Sequence, residues 1–455
     1  MRNNTTLTKS HSRACLAGLM VICSASATAD SWTEASGLLG AAGIDPNASK
    51  FMTDHNLKVG GWLNTSIGAN MNSNSDGFNG PVTFNDRTGE LQMNQLYLYL
   101  QKAINVNGDS FDIGGRVDVM YGTDAAFTQA YGSFGLDPGD AVTSSDRGNW
   151  DLNLSGHGER FYGLALPQAY AEFNLPFGNG IAVKAGHFYT PIGYEVVTAP
   201  DNFFITKPYT MQYGEPFTHT GILATYAYNP NWTVMGGAVT GSNSGGWDGN
   251  WDRDLGNWAW LGGVTWTSDD AGTSLAITST AGDRSENSND TWAIYSIVGK
   301  HNFTDKLHYI IQHDHGFANN IWTASAAPNG TATQDAEWYG INQYLIYDVN
   351  DKVSAGVRAE WFRDHNGIRV YGPGRCYAAA GNEGANFACG GNYLASNFQE
   401  ASGYYAVTAG MSYKPAKWLN LRPNVRYDFT DNAKAFDNGT RHNQFLVTAD
   451  VVITF

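Results

Sequence analysis

An all-β fold is predicted: a transmembrane, antiparallel, up-and-down β-barrel of about 16 strands with short periplasmic turns and long extracellular loops. Three observations carry it. In the terminal stretch His442 to Phe455, the residues Phe445, Val447, Ala449, Val451, Ile453 and Phe455 share one face. Gln444, Thr448, Asp450 and Thr454 share the other, with Leu446 and Val452 between them. Alternation with period two marks a strand with one face in an apolar medium, and a run of roughly ten residues crosses a hydrocarbon core when tilted. Second, the pattern recurs along the chain, and the connections between its copies are alternately long and short. Third, outside the N-terminal leader no apolar run reaches transmembrane-helix length. A mature chain that crosses a bilayer therefore does so as a barrel.

The leader has the three parts of a secretory signal. Arg2, Lys9 and Arg13 give a positive end, Ala14 to Ala25 an apolar stretch, and Ala27-Thr28-Ala29 a small-residue cleavage site before Asp30. Residues 1–29 are thus expected to be a signal peptide, 30–56 a periplasmic or lumenal N-terminal segment, and 57–455 the barrel. Within the second segment Thr33 to Gly43 suits a short helix with Leu38 and Leu39 on one side, either plugging the lumen or tethering the barrel.

Alternation begins at Leu57, with Leu57, Val59, Leu63 and Ile67 opposite Lys58, Asn64 and Ser66. A polar loop, Asn70 to Gly89, leads to a strand over Glu90 to Gln101. In Phe111 to Tyr121 the residues Phe111, Ile113, Val117, Val119 and Tyr121 oppose Asp112, Arg116 and Asp118, a pattern suited to a watery lumen. Further strands are expected over Gln168–Leu175, Ile181–Phe188, Thr218–Tyr228, Trp232–Thr240, Trp258–Thr267 and Thr273–Gly282. The series continues through Thr291–Phe303, Lys306–His315, Glu337–Asp348, Lys352–Arg363, Gly403–Lys414 and Trp418–Thr430 to the terminal strand. Tight turns such as Pro176 to Gly180 and Asn229-Pro230-Asn231 alternate with loops rich in Gly, Asp and Ser. An even count brings both termini to the same side.

Composition agrees. Glycine is abundant (53 residues), aromatics make up 13% and charged residues only 15%. Removing Arg2, Lys9 and Arg13 with the signal leaves 24 basic against 42 acidic residues, a net −18 that excludes nucleic acid as a partner. Cys15 and Cys23 leave with it, so Cys376 and Cys389 remain, close together in a Gly-rich loop of an exported chain. A disulfide is the simplest reading; no His or third Cys stands beside them for a metal.

The segment from Gly186 to Gly221 is the least strand-like long stretch and the densest in Pro, aromatics and isolated charges. Its Gly-His-Phe-Tyr-Thr-Pro-Ile-Gly-Tyr-Glu run (Gly186 to Glu195), Asn202-Phe203-Phe204 and Glu215-Pro216-Phe217-Thr218-His219-Thr220-Gly221 resemble the OmpL-like β-barrel porins of Gram-negative bacteria. The leader, Gly-rich strands and terminal Phe455 extend the resemblance over most of the mature chain. It implies a porin of the outer membrane, with no catalytic residues to carry over. By analogy with general porins that fold a loop into the pore, Tyr189 to Phe217 is the candidate constriction. Glu195, Asp201 and Glu215 would then make it acidic, with Lys207 opposing. The alternative is a segment that packs over the rim or extends the neighbouring strands, with its charges solvated.

Alternation assigns Lys58, Arg116, Lys184, Lys306, Arg358, Arg422 and Arg426 to the lumenal face, together with Asp118, Glu172, Glu360, Asp428 and Asp450. A charge on the lipid face would cost ~2–4 kcal/mol near the midplane. These groups either filter solutes or form ion pairs that stiffen the wall, and Arg422 and Arg426 are expected to act in the filter. His313-Asp314-His315 suits a pore-mouth pair better than a metal site, because adjacent strand residues point to opposite faces. Asp248-Gly249-Asn250-Trp251-Asp252 lacks a complete Ca²⁺-loop spacing. No cofactor or metal is expected.

The sequence therefore points to a water-filled diffusion channel for small polar solutes and ions. An outer-membrane barrel enzyme such as a lipid hydrolase has no Gly-x-Ser-x-Gly motif to support it, and a structural or adhesive barrel has only the long loops. Expected partners are the lipid bilayer, lipopolysaccharide, the barrel assembly machinery that would read Phe455, and small polar solutes; self-association into a homo-oligomer is left open. Cys376 and Cys389 are expected to be bonded, closing a ring that contributes about 3 kcal/mol. Peptide mass mapping without reductant should find them linked, and two free thiols in freshly isolated membranes would refute the pairing.

Overall fold

The structure, a computed structural model, describes residues 33–72, 77–128, 162–242, 250, 257–283, 290–322, 333–367, 369–370, 401–437 and 439–455. Sixteen strands close into one antiparallel barrel in chain order. They are β1 (Leu57–Asn70), β2 (Leu91–Lys102), β3 (Asp112–Gly122), β4 (Gly163–Leu175), β5 (Ile181–Tyr189), β6 (Thr218–Ala227), β7 (Trp232–Thr240) and β8 (Trp258–Thr267). There follow β9 (Thr273–Asp283), β10 (Thr291–Asn302), β11 (Leu307–Trp322), β12 (Thr333–Asn350), β13 (Val353–Asp364), β14 (Ser402–Ala416), β15 (Leu419–Thr430) and β16 (Asn443–Thr454). The expected strands are all present, with two instructive differences. β11 and β12 run several residues further toward the outside than their apolar alternation, and pairing continues to Trp322↔Thr333. Beyond the hydrocarbon a ladder needs no apolar face. β4 starts at Gly163, ahead of the expected Gln168, because a register shift between Asp118 and Met120 of β3 accommodates Pro167.

The register sorts side chains as the alternation predicts. On β16, Gln444, Leu446, Thr448, Asp450 and Val452 are buried inward, while Val447 and Ala449 are exposed outward. Leu98, Val117, Ile222, Val234, Leu345, Val357, Val407 and Val425 continue the exposed apolar band. Exposed aromatics flank it at both ends: Tyr121, Trp258, Trp260 and Phe429 toward the long loops, and Trp232, Phe303, Tyr347 and Tyr413 toward the short turns. Two such girdles match the two interfaces of a bilayer.

Closure falls on the chain ends. β1 pairs with β16 from Trp62↔Thr454 to Asn70↔Leu446. The backbone of Phe455 adds two more bonds, its N–H to the Gly61 carbonyl (2.9 Å) and its carbonyl from the Gly61 N–H (3.0 Å). The N-terminal segment tethers to this same corner and stays out of the lumen. Its helical turn Leu38–Ala41 packs with Ala35 on Ala416, Trp418, Leu419 and Ile453, and the Lys417 N–H donates to the Thr33 carbonyl (2.9 Å). A second short helix, Lys50–Asp54, is capped by the Ser49 hydroxyl and leads directly into β1.

Deleting Phe455 removes both backbone bonds at the seam and the terminal aromatic. Membrane-inserted, heat-modifiable protein should fall and unfolded chain accumulate; an unchanged yield of folded barrel would count against a role for this residue in closure.

Candidate functional site: the infolded segment and its arginine fasteners

Residues 190–217, between β5 and β6, lie inside the barrel and touch walls on both sides. Ile192, Tyr209 and Tyr213 pack with Trp338, Phe362 and Tyr404 of β12 to β14. Val197, Met211 and Phe217 pack with Trp62, Tyr97 and Met120 of β1 to β3. The apolar and aromatic residues that made this segment unlike a strand are what let it bury in the lumen. A second loop meets it: Thr83 donates to Gln212 (2.6 Å), and the Tyr213 hydroxyl donates to the Pro81 carbonyl (2.6 Å).

A segment without regular structure brings its own backbone polar groups into the lumen, and they need partners. Arginines on the wall supply them. Arg358 donates to the Thr206 carbonyl (2.8 Å), Arg426 to that of Lys207 (3.1 Å), and Arg422 to those of Ala199 (2.8 Å) and Asn202 (2.6 Å). On the other sides the guanidinium groups meet carboxylates. Arg358 bonds Glu195 (2.6 Å) and Glu360 (3.2 Å), Arg426 bonds Glu360 (2.9 Å) and Asp428 (2.8 Å), and Arg422 bonds Asp450 (3.0 Å). The two arginines expected to meet the solute, Arg422 and Arg426, are 1% and 0% exposed and are turned into the loop. Register explains this. Alternate residues of β13 and β15 place all three arginines on the face that the segment covers.

Glu195 also lies 3.6 Å from Lys207 and accepts from the Tyr344 hydroxyl (3.0 Å). Burial pushes the Lys207 ammonium down to about 8, against the opposing pull of Glu195. Glu215 is fastened to β11: one Gln312 amide nitrogen donates both to it and to Asp314. Burial, and the Asp314 carboxylate beside it, push the Glu215 carboxyl well above the usual range. Gly193, with φ +87°, lets the backbone pass where a Cβ would strike the Glu215 carboxylate.

Other candidates are placed differently. Asp201 is exposed and accepts from the Thr198 hydroxyl (2.6 Å). Asp118 is buried and accepts from Tyr97 (2.5 Å), Gln168 (2.8 Å) and Arg116 (2.7 Å). Glu172 and Lys184 pair in register and are half-buried. Lys58 and Lys306 are exposed at the periplasmic rim, and Lys306, the first residue of the expected strand, sits in the turn ahead of β11. His313 and His315 do not form a pore-mouth pair. They lie on the outer face of β11 beside Tyr295, bonded to the Gly340 carbonyl and to Glu337. Asp314 between them is the lumenal residue, and it was overlooked; parity with Gln312 was the available signal. Gln95, which bonds the Val197 carbonyl and the Ala199 N–H, was overlooked too. Among the described residues no group of three His, Cys, Asp or Glu could hold a metal. Cys376, Cys389 and the Asp248–Asp252 cluster other than Asn250 lie outside the described residues.

Replacing Arg426 with Met leaves Glu360 and Asp428 short of a counter-charge, a loss of about 3–5 kcal/mol for a buried network. The folded barrel should melt at lower temperature and, with the segment released, show larger and noisier conductance. Unchanged melting and single-channel current would show that this arginine fastens nothing.

The model of a family described as "Putative beta-barrel porin-2, OmpL-like" matches residues 56–455. No curated protein matches the chain. Among solved structures, OprB of Pseudomonas putida is similar at TM-score 0.54 and 11% identity, over 93% of this chain and 99% of that one. The outer membrane channel DcaP of Acinetobacter baumannii is similar at TM-score 0.51 and 10% identity, over 88% and 97%. An anion-selective porin from Comamonas acidovorans is similar at TM-score 0.51 and 9% identity, over 88% and 99%. At such identities the likeness is one of fold. With its strands, girdles and infolded segment, this chain belongs to the OmpL-like family of β-barrel porins of the outer membrane.

Proposed function

We propose that the protein is a passive channel of the Gram-negative outer membrane for small polar solutes and ions, and that residues 190–217 set the width and charge of the passage. The carrying observation is the fastening of that segment across the lumen by Arg358, Arg422 and Arg426. A loop meant only to cover the rim needs no bonds to three inward arginines of two wall strands. The reading includes export through cleavage after Ala29, assembly through the terminal strand, and an outer leaflet of lipopolysaccharide around the girdles. Nothing in the site favours a hydrolase or an adhesin. Current through purified protein in planar bilayers tests the reading, and a folded barrel that passes no ions would sink it.

The fastening network is nearly neutral, since Arg358 and Arg426 face Glu195, Glu360 and Asp428, and Arg422 faces Asp450. Lys207 is its titratable member near physiological pH, facing Glu195, Asp124, Arg358 and Arg422. As pH rises through about 8 it loses its charge, and the constriction becomes more negative. The reversal potential in a salt gradient should move toward cations between about pH 7 and about pH 9, and Lys207→Met should be flat over that interval. A shift of equal size in Lys207→Met would assign the titration to another group.

A further inference from the structure

On the periplasmic side of the infolded segment, the wall of β2 to β5 carries a stripe that the fastening does not use. Tyr99 lies near the periplasmic end of β2, Arg116 near that of β3, Tyr170 on β4 and Lys184 near the start of β5. Arg116 and Tyr170 are direct register partners, and Glu172 is that of Lys184. The Arg116 guanidinium lies over the Tyr99 ring at 4.4 Å, and the Lys184 ammonium over the Tyr170 ring at 4.9 Å. Aromatic face and cation thus alternate across four adjacent strands, each attracted by the other. All four side chains are half-buried, so they reach lumenal water.

Neither cation is used up. Arg116 gives Nε to Asp118 (2.7 Å) and Nη1 to Gln101 (3.4 Å), which leaves Nη2 without a hydrogen bond among the described residues. Asp118 is itself shared among Tyr97, Gln168 and Arg116, so its charge is spread over three donors. Lys184 stacks on Tyr170 and, among the described residues, reaches no carboxylate within ion-pair distance, although Glu172 stands across the strand pair. If these charges served only to stiffen the wall, Lys184 and Glu172 would be expected to close on each other as Arg116 and Asp118 do. A half-buried ammonium resting on a ring beside a partly free guanidinium has the donors to bind a carboxylate, and the two tyrosines offer apolar surface alongside.

We propose that this stripe is a subsite for small organic carboxylates on the periplasmic side of the constriction. Lys184 and Arg116 take the carboxylate, and Tyr170 and Tyr99 take the apolar body. The proposal rests on the channel reading above and names a solute class for it.

The test uses the full mature chain, with benzoate as probe and benzyl alcohol as its uncharged counterpart. Blockade of ion current in planar bilayers is read together with calorimetric titration of the detergent-solubilised barrel, which does not depend on conduction. Benzoate should bind and block, while benzyl alcohol should do neither. In Lys184→Met the benzoate affinity should fall about fivefold, the upper range for one screened charge contact, and Lys184→Arg should restore most of it. Tyr170→Leu should weaken benzoate and leave acetate unchanged. Equal binding of benzoate and benzyl alcohol, or unchanged benzoate affinity in a folded, conducting Lys184→Met protein, would overturn the subsite alone. A folded wild-type barrel without ion current would remove the channel reading instead. Should Lys184→Met fail to fold, Lys184→Gln puts the same question with the same two outcomes.

Discussion

A bilayer core contains no water to bond a peptide group, so every backbone N–H and C=O at that depth needs a partner in the protein. The architecture follows from this requirement. The sheet closes because an open edge is not tolerated, and closure joins the two ends of the chain at β1 and β16. Phe455 extends the seam with two further backbone bonds to Gly61. The N-terminal segment packs on the same corner, so the place where the ladder closes is also where the chain is covered from the periplasmic side.

The same requirement returns inside the lumen. Residues 190–217 have little regular structure with which to satisfy themselves, and the wall provides arginines, whose planar forks reach a carbonyl on one side and a carboxylate on another. Arg358 joins Thr206, Glu195 and Glu360, and Arg426 joins Lys207, Glu360 and Asp428. Burying single charges would cost several kcal/mol apiece; alternating them along β13 and β15, on either side of β14, offsets most of that. The resulting network is rigid and almost neutral. Its titratable member near physiological pH is Lys207, which lies 3.6 Å from Glu195.

The carboxyl pair Glu215 and Asp314 fastens the opposite end of the segment by different means. One Gln312 amide serves both acids, and burial raises the Glu215 carboxyl above its usual range. The two ends of the segment are therefore held by an arginine–carboxylate network on the β13 to β16 side and by an amide that bridges two acids on the β11 side.

Alternation along single strands was enough to determine the barrel, the strand number, the lumenal face and the apolar band, because the period of two is a local property of an extended chain. Gly186 to Gly221 also stood out by its composition, because a segment that must bury inside a lumen carries aromatics where a solvated loop carries polar residues. What alternation could not supply is what stands opposite a lumenal residue across the barrel. Arg422 and Asp450 sit on neighbouring strands, yet the Ala199 and Asn202 carbonyls that complete the site come from more than two hundred residues away. Whether an inward arginine meets water or a loop therefore depends on tertiary packing. So does the difference between Lys184, whose ammonium rests on Tyr170, and Arg426, enclosed by Glu360, Asp428 and Lys207. Face is a local property of the chain; what occupies the space in front of that face is decided only when the segment folds in.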